Sequence, residues 1–490
     1  MSYLRKTSEF PESVAWPYPY LTVSMRDQLN LIHEALIDPD SPFLRLAPGV
    51  TPGHDLSALN LHAVRETALA AYADFAAGNS ERARTALRAV VDAQWLEPGA
   101  PWHGTFPTVA EQPAPGEGAV EWTGFDPNWR QFVGVVLARC RLEYTSLLGD
   151  KLVASVDAAL RACVEGEPRE RIPEWYTNPL LLAAWLEATV GVMLDEPAFV
   201  TRGEERLRSV NDQVERDGDL AEYNSPTYDG VDLFALALCE GRPPTPYFAD
   251  AGSRLRQVVE DRLNRLWHRE FQVITGPYIR SYGFRLTDYV SLTGLWLAMS
   301  GVDHGTLPKI LDVDTDHIHD LFFAPLFEGL TRPWNLPRWE GGPFHTQRFE
   351  STVATSCPVS FAATGVEVGR RHTFARDQYF PLVAHKSRGD SVDYLALQVP
   401  ASVTVTEGSI GYDARIFATL TSDGPRVTCV LRTSERPRWQ RAELTCGALS
   451  LWCTKEPDLM EITELPLGFS TRLEWDVPVL PVQVVPQSYF

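Results

Sequence analysis

Three apolar runs in the first half of the chain open on a residue of helix-capping type directly before proline: Asp126-Pro127, Asn178-Pro179 and Ser225-Pro226. Short polar side chains accept a free N–H at a helix start, and proline suits the first helical position because no hydrogen bond is lost there. The pairs are 52 and 47 residues apart, about the length of one helical hairpin repeated. Each opens an apolar run that is followed by a segment with charges on one face. Phe132 to Leu137 precedes Lys151 to Val164, Leu180 to Leu194 precedes Glu196 to Arg216, and Val231 to Cys239 precedes Ala249 to His268. Upstream, Arg26 to Leu36 and Leu59 to Phe75 carry helical spacing, and Ser80 caps the charged Glu81 to Trp95. Asp288 to Met299 reads as one more apolar helix. The pattern predicts an inner ring of apolar helices inside an outer ring of amphipathic ones. Inner helices that all run the same way open their N-termini on one rim.

After Thr331 to Gly342, rich in Trp, Pro and Gly, the helical period gives way to short β-type runs. Val366 to Gly369, Tyr379 to His385, Val392 to Val399, Ala414 to Thr421, Arg426 to Thr433, Arg441 to Trp452, Glu461 to Leu465 and Thr471 to Val477 read as strands. The expected fold is α+β, an N-terminal (α/α) toroid of helical hairpins over residues 1–335 and a C-terminal antiparallel β-sandwich over 336–490. At 490 residues two large units are the natural expectation.

A formal charge of −20 and a pI near 5.0 argue against nucleic acid and anionic membrane surfaces as partners. No stretch is long and apolar enough for a membrane span, and Met1 to Val14 lacks the apolar core of an export signal, so a cytoplasmic protein is expected. The 7 cysteines are odd in number and form no C-x-x-C pair, which reads as buried reduced thiols.

Aromatic and polar residues gather in the loops that lead into the apolar helices. Trp102, His103, Phe106, Trp122, Asn128 and Trp129 precede or open one, Trp175, Tyr176 and Asn178 the next, and Tyr223, Asn224 and Tyr228 the third. Tyr278, Arg280, Tyr282 and Arg285 form a fourth group. If Ser225 caps a helix with Pro226 in its first position, Tyr228 falls in the first turn, where free N–H groups and the helix dipole favour an anion. Asn224 can donate to a carboxylate, Arg280 can clamp one, and a phenol whose pKa is lowered by such neighbours can act as a base. Sugar rings stack on aromatic faces beside polar groups, and His103 is of a type that donates or accepts a proton near neutrality. His372 and His385 would join the site if the sheet region leans over the rim.

A toroid followed by an antiparallel β domain resembles the polysaccharide lyases of the heparinase II/III and alginate lyase type. At the level of motif, Asn224 and Tyr228 look like the Asn and Tyr of the Asn-Asn-His-x-Tyr signature of those enzymes, with Ser225 and Pro226 where the family often has His. The resemblance implies β-elimination on a uronic-acid-containing oligo- or polysaccharide, without a cofactor and without a metal. Asn224, helped by Arg280, would neutralise the uronate; Tyr228 would be the base, and Tyr282 or His103 the acid. Trp102, Asn128, Trp129, Trp175, Tyr176, Tyr223, Tyr278 and Arg285 would bind the carbohydrate. Two other chemistries fit the same residues less fully. A glycoside hydrolase would use two carboxylates among Glu222, Asp126, Asp229 and Asp288, and a terpene-cyclase-like enzyme would use the acids of Asp312 to Asp316.

Overall fold

The computed structural model describes residues 33–46, 61–268, 273–278, 281, 292–302, 322–334, 345–349, 352–356, 380–388, 391–400, 403–410, 415–447, 449–465 and 468–486. Two short strands, β1 (Leu44–Arg45) and β2 (His62–Ala63), pair ahead of the first long helix. Helices then alternate as the sequence pattern requires. The inner set is α1 (Val64–Ala76), α3 (Trp129–Glu143), α5 (Thr177–Met193), α7 (Asp229–Gly241), α9 (Leu292–Met299) and the short α10 (Ala324–Phe327). The outer set is α2 (Ser80–Asp92), α4 (Asp150–Glu165), α6 (Pro197–Asp217) and α8 (Pro246–Leu266). Each outer helix packs on the inner helix before it, and the inner helices pack in sequence, with α10 returning to α1 to close the ring.

Composition explains which helix goes where. Residues Thr177 to Gly191 of α5 are all buried, as expected of a helix apolar on every side. In α6 the buried residues form one stripe, with the remaining charges facing out. Close approach is purchased by small residues: a Cβ on Gly230 of α7 would stand 2.1 Å from the Leu292 carbonyl carbon of α9. Arg139, 1 % exposed, closes the circle, donating to Tyr72 Oη at 2.7 Å on α1 and to the Leu326 carbonyl at 3.1 Å on α10.

The helix starts differ from the sequence reading in an informative way. None of the three polar-proline pairs is an N-cap followed by a first helical position. At Asn178-Pro179 the helix begins earlier, at Thr177, and Asn178 binds Glu222 instead of capping. At Ser225-Pro226 it begins later, at Asp229, so Tyr228 precedes the first turn. Asn224, with φ +49°, turns the chain there, and the Ser225 carbonyl accepts from both Tyr228 N and Asp229 N in a separate tight turn. At Asp126 the helix begins at Trp129, the carboxylate accepting Asn128 N at 2.9 Å. Ser80 lies inside α2, after Asn79.

Two antiparallel sheets follow. In chain order the strands are β5 (His345–Phe349), β6 (Thr352–Ser356), β7 (Leu382–Arg388), β8 (Ser391–Gln398), β9 (Val403–Ile410), β10 (Ile416–Ser422), β11 (Val427–Thr433), β12 (Arg438–Gln440), β13 (Glu443–Cys446), β14 (Leu449–Cys453), β15 (Leu459–Leu465), β16 (Gly468–Trp475) and β17 (Val479–Pro486). The sheets order as β15-β16-β11-β8-β7-β6-β5 and β12-β13-β14-β17-β10-β9. They face each other across a core that includes Leu395, Leu397, Leu431 and Trp475 from one and Leu420, Leu451 and Val482 from the other. The expected single run Arg441 to Trp452 is a hairpin of β13 and β14, turned at Gly447 with φ +57°. β17 is concealed in the sequence by its prolines. Pro481 pairs with Thr419 of β10 but lies beyond the end of β14, so its missing N–H leaves no gap in the ladder.

Strand alternation buries both faces of the seven-stranded sheet where β7 and β8 pair. Leu382, Ala384, Leu395 and Leu397 belong to the sandwich core. Val383, Tyr394 and Ala396 point the other way and, with Phe380, enclose Tyr278 from the helical region. Val366 to Gly369 lies outside the described residues, as does most of Arg26 to Leu36.

Candidate functional site

Hydrogen bonds run from one inner-helix entry to the next around the rim. Asn128, before α3, donates to Tyr176 Oη at 2.8 Å, before α5. Thr177 Oγ1, Asn178 N and Asn178 Nδ2 donate to Glu222 Oε2 at 3.0, 3.1 and 2.6 Å, in the segment before α7. Asn224 Nδ2 donates to the Thr275 and Pro277 carbonyls at 2.8 and 2.6 Å, and Gly230 N to Thr293 Oγ1 of α9 at 2.7 Å. Hydrogen bonds thus link the first three predicted loops in turn, and join the third to residues 275 and 277 just ahead of Tyr278.

On one flank two tryptophan rings reach solvent above a buried polar cluster. Trp122 is 50 % exposed and held at φ +67°, its N–H bonded to the Phe125 carbonyl at 2.8 Å. Its ring lies 6.2 Å from Tyr176, which stacks at 6.0 Å on the half-buried Trp175. Arg171 Nη1 donates to Asn128 Oδ1 at 3.1 Å, while Nε and Nη2 are held by Glu167. The result is a buried ion pair of Arg171 with Glu167 that holds Asn128, and through it the Tyr176 hydroxyl. Trp122 stands among the loop aromatics of the sequence but not among the predicted binding residues. Arg171 was missed outright, since it lies in the polar connection Glu165 to Arg171 that carries no motif.

The other flank is acidic and closed. Arg262, fully buried, binds Asp219 and donates to Asp229 Oδ1 at 2.7 Å, with its guanidinium 5.2 Å from the centre of the Tyr223 ring. Burial raises the pKa of Asp219, takes Asp229 to about 7 against the pull of Arg262, and drives Asp232 well above the carboxylate range, with Glu222 and Asp229 adding repulsion. Neither Asp232 oxygen has a hydrogen-bond partner. The Tyr223 phenol is pushed up by burial as well.

Several predicted roles need correction. Trp102 is buried with Phe125 and Trp95, its Nε1 donating to Glu97 at 3.1 Å. Trp129 is buried too, and the Arg65 guanidinium sits 5.4 Å from the centre of its ring, so neither offers a sugar a face. Tyr223 and Tyr278 are enclosed, and the Tyr278 hydroxyl donates to the Ile274 carbonyl at 2.6 Å. Asn224 is fully buried with its amide hydrogens on two carbonyls, which fixes the amide orientation and leaves only Oδ1, an acceptor without a partner. It therefore cannot donate to a uronate carboxylate. His103 lies against the end of α4, where a Cβ on Gly166 would meet its carbonyl oxygen at 1.9 Å. Its carbonyl accepts Arg130 Nε at 2.8 Å, and its buried Nδ1 has no partner. Tyr228 is half-buried against the core at the mouth of α7. Asn128, Trp175 and Tyr176 come together as expected. Arg280, Tyr282, Arg285, Asp288, Asp312 to Asp316 and His372 lie outside the described residues.

Among the described residues no group of three or more His, Cys, Asp or Glu is arranged to hold a metal ion, and no helix is long and apolar enough to cross a membrane. A cleft of about 620 Å³ lies away from this rim, between Ile37 to Leu44 and helices α1 and α2.

No curated protein matches the sequence. Among solved structures the chain is similar to a mutant chondroitin AC lyase of Streptomyces coelicolor A3, at 13% identity over 98% of this chain and 81% of that one, with a TM-score of 0.38. It is similar also to a heparinase III, at 11% identity over 86% of this chain and 78% of that one, with a TM-score of 0.35. The same heparinase with methylated lysines gives 10% identity, coverage of 100% and 87%, and a TM-score of 0.37. Likeness at these TM-scores assigns this chain no substrate and no residue role. A family described as a domain of unknown function (DUF8769) matches residues 58–332, more than half of the chain, and the chain belongs to that family.

Proposed function

We propose that this protein is a carbon–oxygen lyase that cleaves a uronic-acid-containing oligo- or polysaccharide by β-elimination. Tyr228 removes the C5 proton, the electron pair forms the C4–C5 double bond, and the C4–O bond breaks as Tyr282 or His103 protonates the leaving oxygen. Arg280 neutralises the uronate carboxylate, aided by the N–H groups at the mouth of α7. Trp122 and Trp175 receive the sugar rings, and the buried Tyr176, Asn128 and Arg171 hold the two tryptophans in place. Residues 1–335 would carry the chemistry and residues 336–490 would support it.

One observation carries this reading over hydrolysis. Of the described carboxylates a hydrolase could use, Glu222 and Asp229 are buried, and Asp126 is half-buried with one oxygen on Asn128 N and the other on Trp129 Nε1. Glu222 is engaged by Thr177 and Asn178, and Asp229 by Arg262. What the rim offers in their place is a phenol at a helix mouth and the accessible rings of Trp122 and Trp175, which suits a sugar and a phenolic base.

The test is incubation with a panel of uronate oligosaccharides, following the ultraviolet absorbance of the new double bond. Absorbance growth is expected, reduced at least about 100-fold in Tyr228→Phe. New reducing ends without absorbance would establish hydrolysis and sink the proposal.

A further inference from the structure

Among the described residues one loop joins the seven-stranded sheet to the rim. It leaves β4 (Val273–Ile274), which pairs with β3 (Trp267–His268) at the end of α8. Gly276 presses on the sheet, since a Cβ there would stand 2.7 Å from Val383 Cγ2 and 2.8 Å from Val383 Cβ. Two residues later Tyr278 exchanges backbone hydrogen bonds with Phe380, at 3.3 and 2.9 Å. Its hydroxyl donates to the Ile274 carbonyl at 2.6 Å and lies 3.2 Å from His385 Nε2 on β7. A hydroxyl has one proton, here directed at the carbonyl, so His385 Nε2–H is the donor in the second contact.

The opposite side of this loop holds Asn224. The carbonyls that accept from its Nδ2 belong to Thr275 and Pro277, the residues on either side of the glycine pressed against Val383. Asn224 keeps a left-handed backbone, φ +49°, that a non-glycine residue holds only when its surroundings demand it. The Ser225 turn and Tyr228 follow directly.

We propose that His385 and Tyr278 are positioning residues for the Tyr228 site: the sheet clamps the 275–278 loop, the loop clamps Asn224, and Asn224 sets the turn that aims Tyr228. The catalytic consequence rests on the elimination reading, whereas the mechanical coupling does not. Neither residue meets substrate. Both act through the two carbonyls.

The experiment is hydrogen exchange of the full chain, comparing amides of residues 222–232 with those of α4, together with elimination kinetics. Tyr278→Phe keeps the buried ring and removes the hydroxyl. Exchange over 222–232 should quicken roughly fivefold to tenfold with α4 unchanged, and kcat should fall while KM holds. His385→Leu should reproduce both effects, and His385→Gln, which retains an N–H donor, should restore most of the protection. The coupling is overturned if 222–232 exchanges as in the wild type in Tyr278→Phe and His385→Leu, if α4 loosens equally, or if Gln behaves as Leu does. A wild type without elimination would sink the proposed activity alone, and the exchange result would still decide the coupling.

Discussion

The two flanks of the rim are made of similar residue types and do opposite things. Around Asn128 and Tyr176 a buried polar cluster lies beneath Trp122 and Trp175, whose rings reach solvent. Around Asp229 and Asp232 they are sealed in, with Arg262 set against several acids. Polar residues in a rim loop are thus no guide to a ligand until their partners are known. The open flank can recognise a substrate; the closed flank holds the helix mouth at which Tyr228 sits.

The largest effect should come from the closed flank. Replacing Arg262 with Met leaves Asp219 and Asp229 buried without their cation, and a loss of about 3–5 kcal/mol in urea unfolding is expected. A loss below about 1 kcal/mol would mean that the flank is wetter than it looks. Next is pH. Asp229 has a folded pKa of about 7 against an ordinary 3.8, so the folded state binds the extra proton and stability is greatest below about pH 4. It should decline as pH rises from about 4 to about 7, by about 4 kcal/mol from this group. Asp229→Asn should flatten that slope, measured as the urea midpoint between pH 4 and 8. On the open flank Asn128→Ala removes the bonds to Tyr176 and Arg171 and should cost about 1–2 kcal/mol. Trp122→Ala should change stability by less than about 0.5 kcal/mol yet weaken oligosaccharide binding by up to roughly tenfold in calorimetry. A loss in Asn128→Ala as large as that in Arg262→Met would erase the distinction between the flanks.

Much of the architecture was legible because it rests on periodicity. The all-round apolar α5 and the one-faced α6 identify themselves by pattern, and so does the change from period 3.6 to period 2. The site was legible only as a place. Asn178 and Ser225 have the residue types of caps, but Glu222 and the Asn224 turn, distant or conformational facts, decide what they do. Trp102, Trp129 and Trp175 look alike in sequence, and burial alone separates the first two from the third. Whether an asparagine amide is available depends on carbonyls 51 and 53 residues away, which no local pattern records.

The Arg139 clasp has a consequence for synthesis. Its guanidinium waits for the Leu326 carbonyl, 187 residues further along. Until the ribosome has released that segment, α1 and α3 lack the neighbour that completes the circle, and a buried arginine stands short of an acceptor. Contacts of such sequence separation close late and slowly. The nascent helical hairpins therefore wait as an open arc with apolar edges, the stage at which this chain most needs a chaperone.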